Sequence, residues 1–492
     1  MRKISLILAA FVTACVGSPG YRAPEVRVAP SYAVREAGRG TRGGERGPVD
    51  TCATGSPTDS QVQSVHFSDA MPVAPFWRTL GDTVLTQLVE EALRANTDVQ
   101  IAESRLTSAR AARRLAAFDL APTVTASGSS VRQQASIAQL PGLGRQLAPQ
   151  QLWDVGFDAS WELDLFGRVS HNVRAQGAFV ASSEYALRDV QVSIASEVAR
   201  TYFELRGAQQ QLAVAQRNAD NQRRAVSLTE DRLAGGRGTA FDTERAHSIL
   251  YLTLATVPGL ETEIARDRNR IAVLLGRTAD ALPSALSVAR PLPRLPDSLD
   301  VGTPSNLVRR RPDVMRAERA LAAQELLVGS AKAEYLPRIS LGARLGYTAT
   351  SFDSLSRAGT SRLLVGPFVS FPLFDIGRVR ERVDLAKAQA SEARTEHNAT
   401  VLHALEEAND ALVSYDRAHA RLAILAEAVR SSERAAGLAQ QRFEAGLTDF
   451  LQVLDAERTL LDAENQLASG HTAAATALVA VYKAIGGTWP LQ

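Results

Sequence analysis

The sequence predicts a mainly α-helical chain that also carries the strands of a transmembrane β-barrel. Each chain would have four strands and long coiled-coil helical hairpins, laid out twice by an internal duplication. Three observations predict this. The stretch WDVGFDASWELDLFGR (153–168) alternates apolar and polar residues from Trp153 to Leu165 without a slip, the period of a strand with one apolar and one wet face. It runs straight into an Ala-, Gln- and Arg-rich segment with seven-residue apolar spacing. The pattern of the first half then recurs in the second.

The N-terminus, MRKISLILAAFVTACVGS, has a basic start at Arg2 and Lys3 followed by a short apolar run, Ile4 to Val12. That is an export signal, too short to span a membrane as a mature helix. It ends in Val12-Thr13-Ala14-Cys15, which resembles a bacterial lipobox. Cys15 is then the lipidated N-terminal residue after cleavage, and Val16, where inner-membrane retention uses Asp, points to the outer membrane. Cys52 is left without an intramolecular partner if Cys15 is acylated, and no Cys/His cluster surrounds it. It lies in a Gly-, Arg-, Ser- and Pro-rich stretch, 27–70, expected to be a mobile or extended leader. Beyond the signal no apolar run is long enough to span a membrane as a helix, so a spanning structure must be a closed barrel. Charge is nearly balanced, 55 basic against 53 acidic residues, and nothing recommends nucleic acid as a partner.

The duplication is legible in four matches. RANTDVQIAESRL (94–106) matches RRRPDVMRAERAL (309–321), and LAPTVTASG (120–128) matches YLPRISLGA (335–343). WELDLFGRV (161–169) matches FPLFDIGRV (371–379), and DRLAGGRGTAFD (231–242) matches QRFEAGLTDFLQ (441–452). Both halves read helix, strand, strand, long helix, second helix. The expected divisions are a signal peptide (1–14), a lipidated, partly disordered leader (15–75), a first repeat (76–290) and a second (291–492).

The strands are expected at 122–133, 152–165, 337–349 and 362–374. Trp161 and Leu163 should face lipid, and Asp158 and Glu162 water. No proline occurs from Gln150 to Val257 or from Leu373 to Trp489, although the chain has 21. A proline inside a helix costs ~3 kcal/mol, so these windows favour long helices at 168–235 and 378–445, each about 100 Å at 1.5 Å per residue. Heptad positions include Val401, Ala408, Tyr415, Leu422, Val429 and Phe443 in the second half, and Val198, Leu205, Leu212, Ala219, Val226 and Leu233 in the first. The helices turn back near Gly235-Gly236 and Gly446. Four strands cannot close a barrel. Two chains would supply eight strands around a filled interior; three would supply twelve around an open lumen, with twelve helices for a tube below.

Enzyme signatures are missing from the sequence. No Gly-rich phosphate loop precedes a helix, and the seven histidines form no metal-ligand pattern. Glu406 and Glu407 are adjacent and diverge on a helix. No catalytic residue, cofactor or metal is expected.

Several stretches carry a family resemblance: CVGSPGYRAP (15–24), FWRTLGDTVLTQLVEEALRANTDVQIAESRL (76–106), RDRNRIAVLLGR (266–277), PSNLVRRRPDVMRAERAL (304–321) and VYKAIGGTW (481–489). Together they resemble the TolC-type outer membrane factors, in particular the NodT-type outer membrane lipoproteins of RND efflux systems. The segment 27–70 departs from that pattern. The resemblance implies a homotrimer with a 12-strand barrel in outer membrane lipid and a 12-helix periplasmic α-barrel. It implies export of drugs or other small solutes received from a periplasmic membrane fusion (adaptor) protein and an inner-membrane RND-type pump. A type I protein secretion outlet and a non-conducting envelope tether are the alternatives.

The resemblance also places a periplasmic gate at the helix returns, GRGTAFDTERA (236–246) and GLTDFLQVLDAE (446–457). Asp242 and Gln452 each follow the turn glycine by six residues, and Asp455 lies one helical turn beyond Gln452. Leu451 resembles the family's hydrophobic layer and Asp455 its acidic one. The first repeat departs, with Phe241 and Arg245 at the equivalent places, which suggests an Asp455–Arg245 pair between neighbouring hairpins. A plainer reading makes Asp242 and Asp455 helix-start carboxylates favoured by the dipole.

Overall fold

The computed structural model describes residues 29, 31–32, 65–71, 75–134, 136 and 148–487. Cys15 and Cys52, with the lipidation site and most of the leader, lie outside them. In chain order the elements are β1 (His66–Ser68), α1 (Phe76–Thr79), α2 (Thr83–Ala95), α3 (Thr97–Phe118), β2 (Thr123–Gln133), β3 (Gln150–Leu163), α4 (Arg168–Ala234) and α5 (Ala240–Leu274). They continue with β4 (Ser298–Asp300), α6 (Pro304–Arg310), α7 (Pro312–Ala333), β5 (Arg338–Ala349), β6 (Ser361–Ser370), α8 (Ile376–Glu444) and α9 (Phe450–Ala484). The long helices, α4 and α8, have 67 and 69 residues, and the helices after them 35 each. No helix among the described residues is long and apolar enough to cross a membrane.

The chain forms two compact units. One is built from Ser104–Glu184 and Arg316–Asn398 and holds a four-stranded antiparallel sheet in the order β2-β3-β5-β6. The apolar row of β3 faces the same way as Ala343, Leu345 and Tyr347 of β5 and Leu363, Val365 and Val369 of β6. That face is bare: Phe157 is 58% exposed and Leu363 72%. On the opposite face Asp158 accepts from Ser127 of β2 (2.8 Å) and pairs with Arg344 of β5 (3.3 Å). Glu162 grips Arg168, the first residue of α4, at 2.9 and 2.7 Å. Asp164 then takes the free N–H groups of Val169 and Ser170 at 3.0 and 2.7 Å. Strand thus passes to helix through a carboxylate that satisfies the orphan donors of the first turn.

The second unit is drawn from Val26–Glu103, Tyr185–Met315 and Ala399–Gln492 and contains the larger apolar core. Heptad residues Val198, Leu205, Val401, Ala408 and Tyr415 are fully buried in it, with Leu85, Leu88 and Leu478. Small residues let the helices close up: a Cβ on Gly207 of α4 would lie 2.0 Å from Thr472 Oγ1 of α9. Leu233 departs from the heptad expectation. It sits in the last turn of α4, beyond the packed seam, and is 39% exposed. Pro258 lies inside α5 rather than ending it. Nearby, threonine hydroxyls occupy carbonyls, Thr256 donating to Thr253 O (2.7 Å) and Thr262 to Pro258 O (2.8 Å).

The end of the expected leader is ordered. β1 pairs in parallel with β4, Val65 N donates to Asp416 Oδ1 (3.1 Å), and Tyr32 is buried in the core. Three-residue strands carry too little periodicity to be read in advance.

Candidate functional site

Both helix returns are built by the same local chemistry. Gly236 and Gly446 adopt left-handed backbone, φ +70° in each. Arg237 N donates to Arg232 O and Leu447 N to Arg442 O, both at 2.8 Å. Gly236 N and Gly446 N reach Leu233 O and Phe443 O at 3.0 Å. This is the Schellman closure, which satisfies carbonyls that a helix end would orphan and needs glycine at the left-handed position. Three residues further on the next helix is capped. Thr239 and Asp242 form a reciprocal capping box at the start of α5, and Asp449 accepts from Gln452 N (3.2 Å) at the start of α9.

A small apolar cluster joins these ends: Val226 of α4, Ala246 and Leu250 of α5, Phe443 of α8, and Phe450, Val453 and Leu454 of α9. Phe443 and Phe450 lie 5.1 Å apart between centroids, and the Arg232 guanidinium stands 4.0 Å over the Phe443 ring. The cluster fixes α9 so that Leu451, Gln452 and Asp455 look away from it.

Those three line a cleft of about 770 Å³ with Arg245 of α5 and Leu438 and Arg442 of α8. Four of the residues expected from sequence therefore meet: Arg245, Leu451, Gln452 and Asp455. Two do not line it. Asp242 is committed to the capping box, in line with the plainer reading of a helix-start carboxylate, and Phe241 is 68% exposed. Within the chain Asp455 and Arg245 make no ion pair with each other, so two guanidinium groups and one carboxylate share the cleft. Deeper in α9, burial raises the Glu457 carboxyl above its usual range.

Leu438 and Arg442 were missed by sequence reasoning. The signal was present: Leu438 is apolar yet falls outside the heptad seam, whose neighbours there are Ala436, Ala439 and Phe443, and it is 60% exposed. A large apolar residue off the seam marks a second face. Asp449 was also missed; its alignment with Thr239 at the duplication offset would have given it as the N-cap.

Comparisons with known proteins bear on the chain as a whole. The profile of the outer membrane efflux protein family matches residues 88–277 and 303–487. Among curated relatives the chain is similar to the antibiotic efflux pump outer membrane protein ArpC of Pseudomonas putida, 29% identical over 493 aligned residues, covering 99% of this chain and 95% of that one. Outer membrane protein OprJ of Pseudomonas aeruginosa is 28% identical over 489, again covering 99% and 95%. Among solved structures, the outer-membrane channel OprN superposes with a TM-score of 0.84 at 35% identity, covering 96% of this chain and 99% of that one.

Proposed function

Because the chain belongs to the outer membrane efflux protein family, we propose that it is the export duct of a tripartite efflux system, closed at rest by its helix returns. It is an outer membrane efflux channel. It works as a homotrimer: three four-stranded sheets close a 12-strand barrel, and three sets of helical hairpins form a 12-helix tube in the periplasm. The observation that carries this reading is the sheet. Its apolar face is exposed across β3, β5 and β6, and among the described residues its outer strands, β2 and β6, each have one unpaired edge in the sheet order. Exposed apolar faces and open edges are liabilities in water. Lipid on the face and a second copy on each edge remove both.

Solutes enter from a periplasmic adaptor and an inner-membrane RND-type pump. The family is a transport component, so the chemistry of the duct is passage and gating. The relative ArpC carries antibiotic efflux in its name, which favours small solutes over secreted proteins. Cys15 carries the lipid anchor, with 1–14 as the signal, 15–75 as the leader and 76–290 and 291–492 as the two repeats. Cys15→Ser is expected to abolish incorporation of labelled palmitate; retention of label by the variant would remove the anchor.

The gate is the cleft of α5, α8 and α9. In a trimer the Leu451 side chains form an apolar constriction. Asp455, without an ion-pair partner among the described residues, is left for a neighbour's Arg245. Phe241, Asp242 and Gln452 shape the returns around it, Asp242 and Gln452 as capped first-turn residues. Adaptor contact shifts a closed–open balance of roughly a few kcal/mol. Leu451→Ala combined with Asp455→Ala is expected to raise resting conductance in planar bilayers with no adaptor present. Wild-type conductance from the double variant would place the gate elsewhere.

A further inference from the structure

The sheet contains one junction that no hairpin sets. β2 and β3 are consecutive strands, as are β5 and β6, and each pair is aligned by its own connection. β3 and β5 belong to different halves of the chain, and the connection between them includes α4, α5, α6 and α7. Their register must be chosen by side chains.

The apolar face cannot choose it. Sliding β3 by two residues moves Phe157 from Leu345 to Ala343 or Tyr347, and Trp161 from Leu341 to Ile339 or Ala343. The row remains apolar and remains on the same side, since only a one-residue slip changes faces. Lipid would accept either register.

The wet face does choose. In the observed register Asp158 stands opposite Arg344 and pairs with it at 3.3 Å. Asp154 stands opposite Thr348 and accepts its hydroxyl at 2.7 Å. Arg362 of β6, whose partner on β5 is Gly346, reaches past that glycine to pair with Asp154 on β3. A two-residue slip in either direction places Asp158 opposite glycine, Gly342 or Gly346. It places Arg344 opposite Gly156 or Ser160.

Backbone packing repeats the restriction. Gly156 and Gly346 are direct partners. A Cβ on Gly156 would lie 2.6 Å from Leu345 O, and one on Gly346 2.5 Å from Val155 O. Only two glycines fit at this approach, and a slip opposes each to a residue with a side chain.

We propose that Asp154, Asp158, Arg344, Arg362 and the Gly156–Gly346 pair form a register lock at the seam between the two halves of the chain. The acids and arginines are positioning residues: they set the alignment in which the sheets meet edge to edge. The lock is a property of the four-stranded sheet itself; only its use in closing a barrel rests on the trimeric reading above.

Cysteine cross-linking in outer membranes tests this, in a Cys52→Ser background. Ala159 and Ala343 are opposite each other on the apolar face, so Ala159→Cys with Ala343→Cys reports the native register. Ala159→Cys with Leu341→Cys or Leu345→Cys reports slips. Adding Asp154→Ala and Asp158→Ala is expected to lower the ratio of native to slipped cross-link ~5-fold, the scale set by losing a cross-strand charge pair. The swap Asp158→Arg with Arg344→Asp is expected to restore the native cross-link relative to Asp158→Arg alone. An unchanged ratio of native to slipped cross-link without the two acids overturns the lock. If that variant does not reach the membrane, the swap decides: recovery with the native cross-link supports the lock, and loss overturns it. A native cross-link in a chain that never forms trimers would sink the barrel reading and leave the lock standing.

Discussion

In the proposed trimeric barrel, lysine in place of Phe157 is expected to remove most of the assembled trimer. Phe157 lies in the middle of β3, opposite Ala126 of β2 and Leu345 of β5, on the exposed apolar face. A lysine near the bilayer midplane costs ~2–4 kcal/mol in a barrel, and a trimer carries three of them. Ser160→Lys is the comparison, three residues along the same strand on the wet face. Glu162→Lys serves less well, because Glu162 holds Arg168 at the start of α4 and its loss has its own cost. Trimer is measured as the band that survives on unheated gels from outer membranes. Equal losses from Phe157→Lys and Ser160→Lys would overturn the assignment of faces.

The second large effect is expected at Arg311. Its side chain is 8% exposed and forks between Asp313 (3.0 and 2.7 Å), Glu407 of α8 (2.7 Å) and the carbonyl of Ala484 at the end of α9 (3.0 Å). One guanidinium thus ties the start of α7, the middle of α8 and the end of α9 in the second unit. Burial alone would lower its pKa, but the two carboxylates outweigh that and hold it above the usual arginine value. Arg311→Met leaves two acids and a helix-end carbonyl without their cation. Removing one member of a buried ion pair costs about 3–5 kcal/mol. The lower end applies here, because Glu407 is 55% exposed and water can take over its charge. The detergent-solubilised variant is expected to melt several degrees below wild type. Arg311→Lys should fall between, since an ammonium cannot reproduce the planar fork. An unchanged melting temperature for Arg311→Met would show that the three helix segments hold together without it.

Much of the fold was legible because its signals are local. The thirteen-residue alternation through WDVGFDASWELDL placed β3 to within two residues of its observed ends, and proline-free heptad runs placed α4 and α8 equally well. The returns were readable from Gly236 and Gly446 followed by capping residues. Each of these depends on residues two to seven positions apart, which stay neighbours in any strand or helix. The candidate gate was legible in part. Leu451, Gln452, Asp455 and Arg245 share the cleft, whereas Asp242 is occupied with capping and Arg442 and Leu438 came from a helix face that the heptad count discards.

The sequence by itself determined the four long strands, the long helices, their duplication, the places where they turn and the family. Tertiary structure alone decided which strands adjoin, that β3 meets β5 in the register of Asp158 and Arg344, that β1 pairs with β4, and that Arg311 joins three helices. The physical reason is degeneracy at long range. Apolar rows are interchangeable partners, so periodicity says which face is buried and leaves open what buries it. Specific partners emerge only where charges, hydrogen bonds and glycine-sized gaps have one arrangement that satisfies them all.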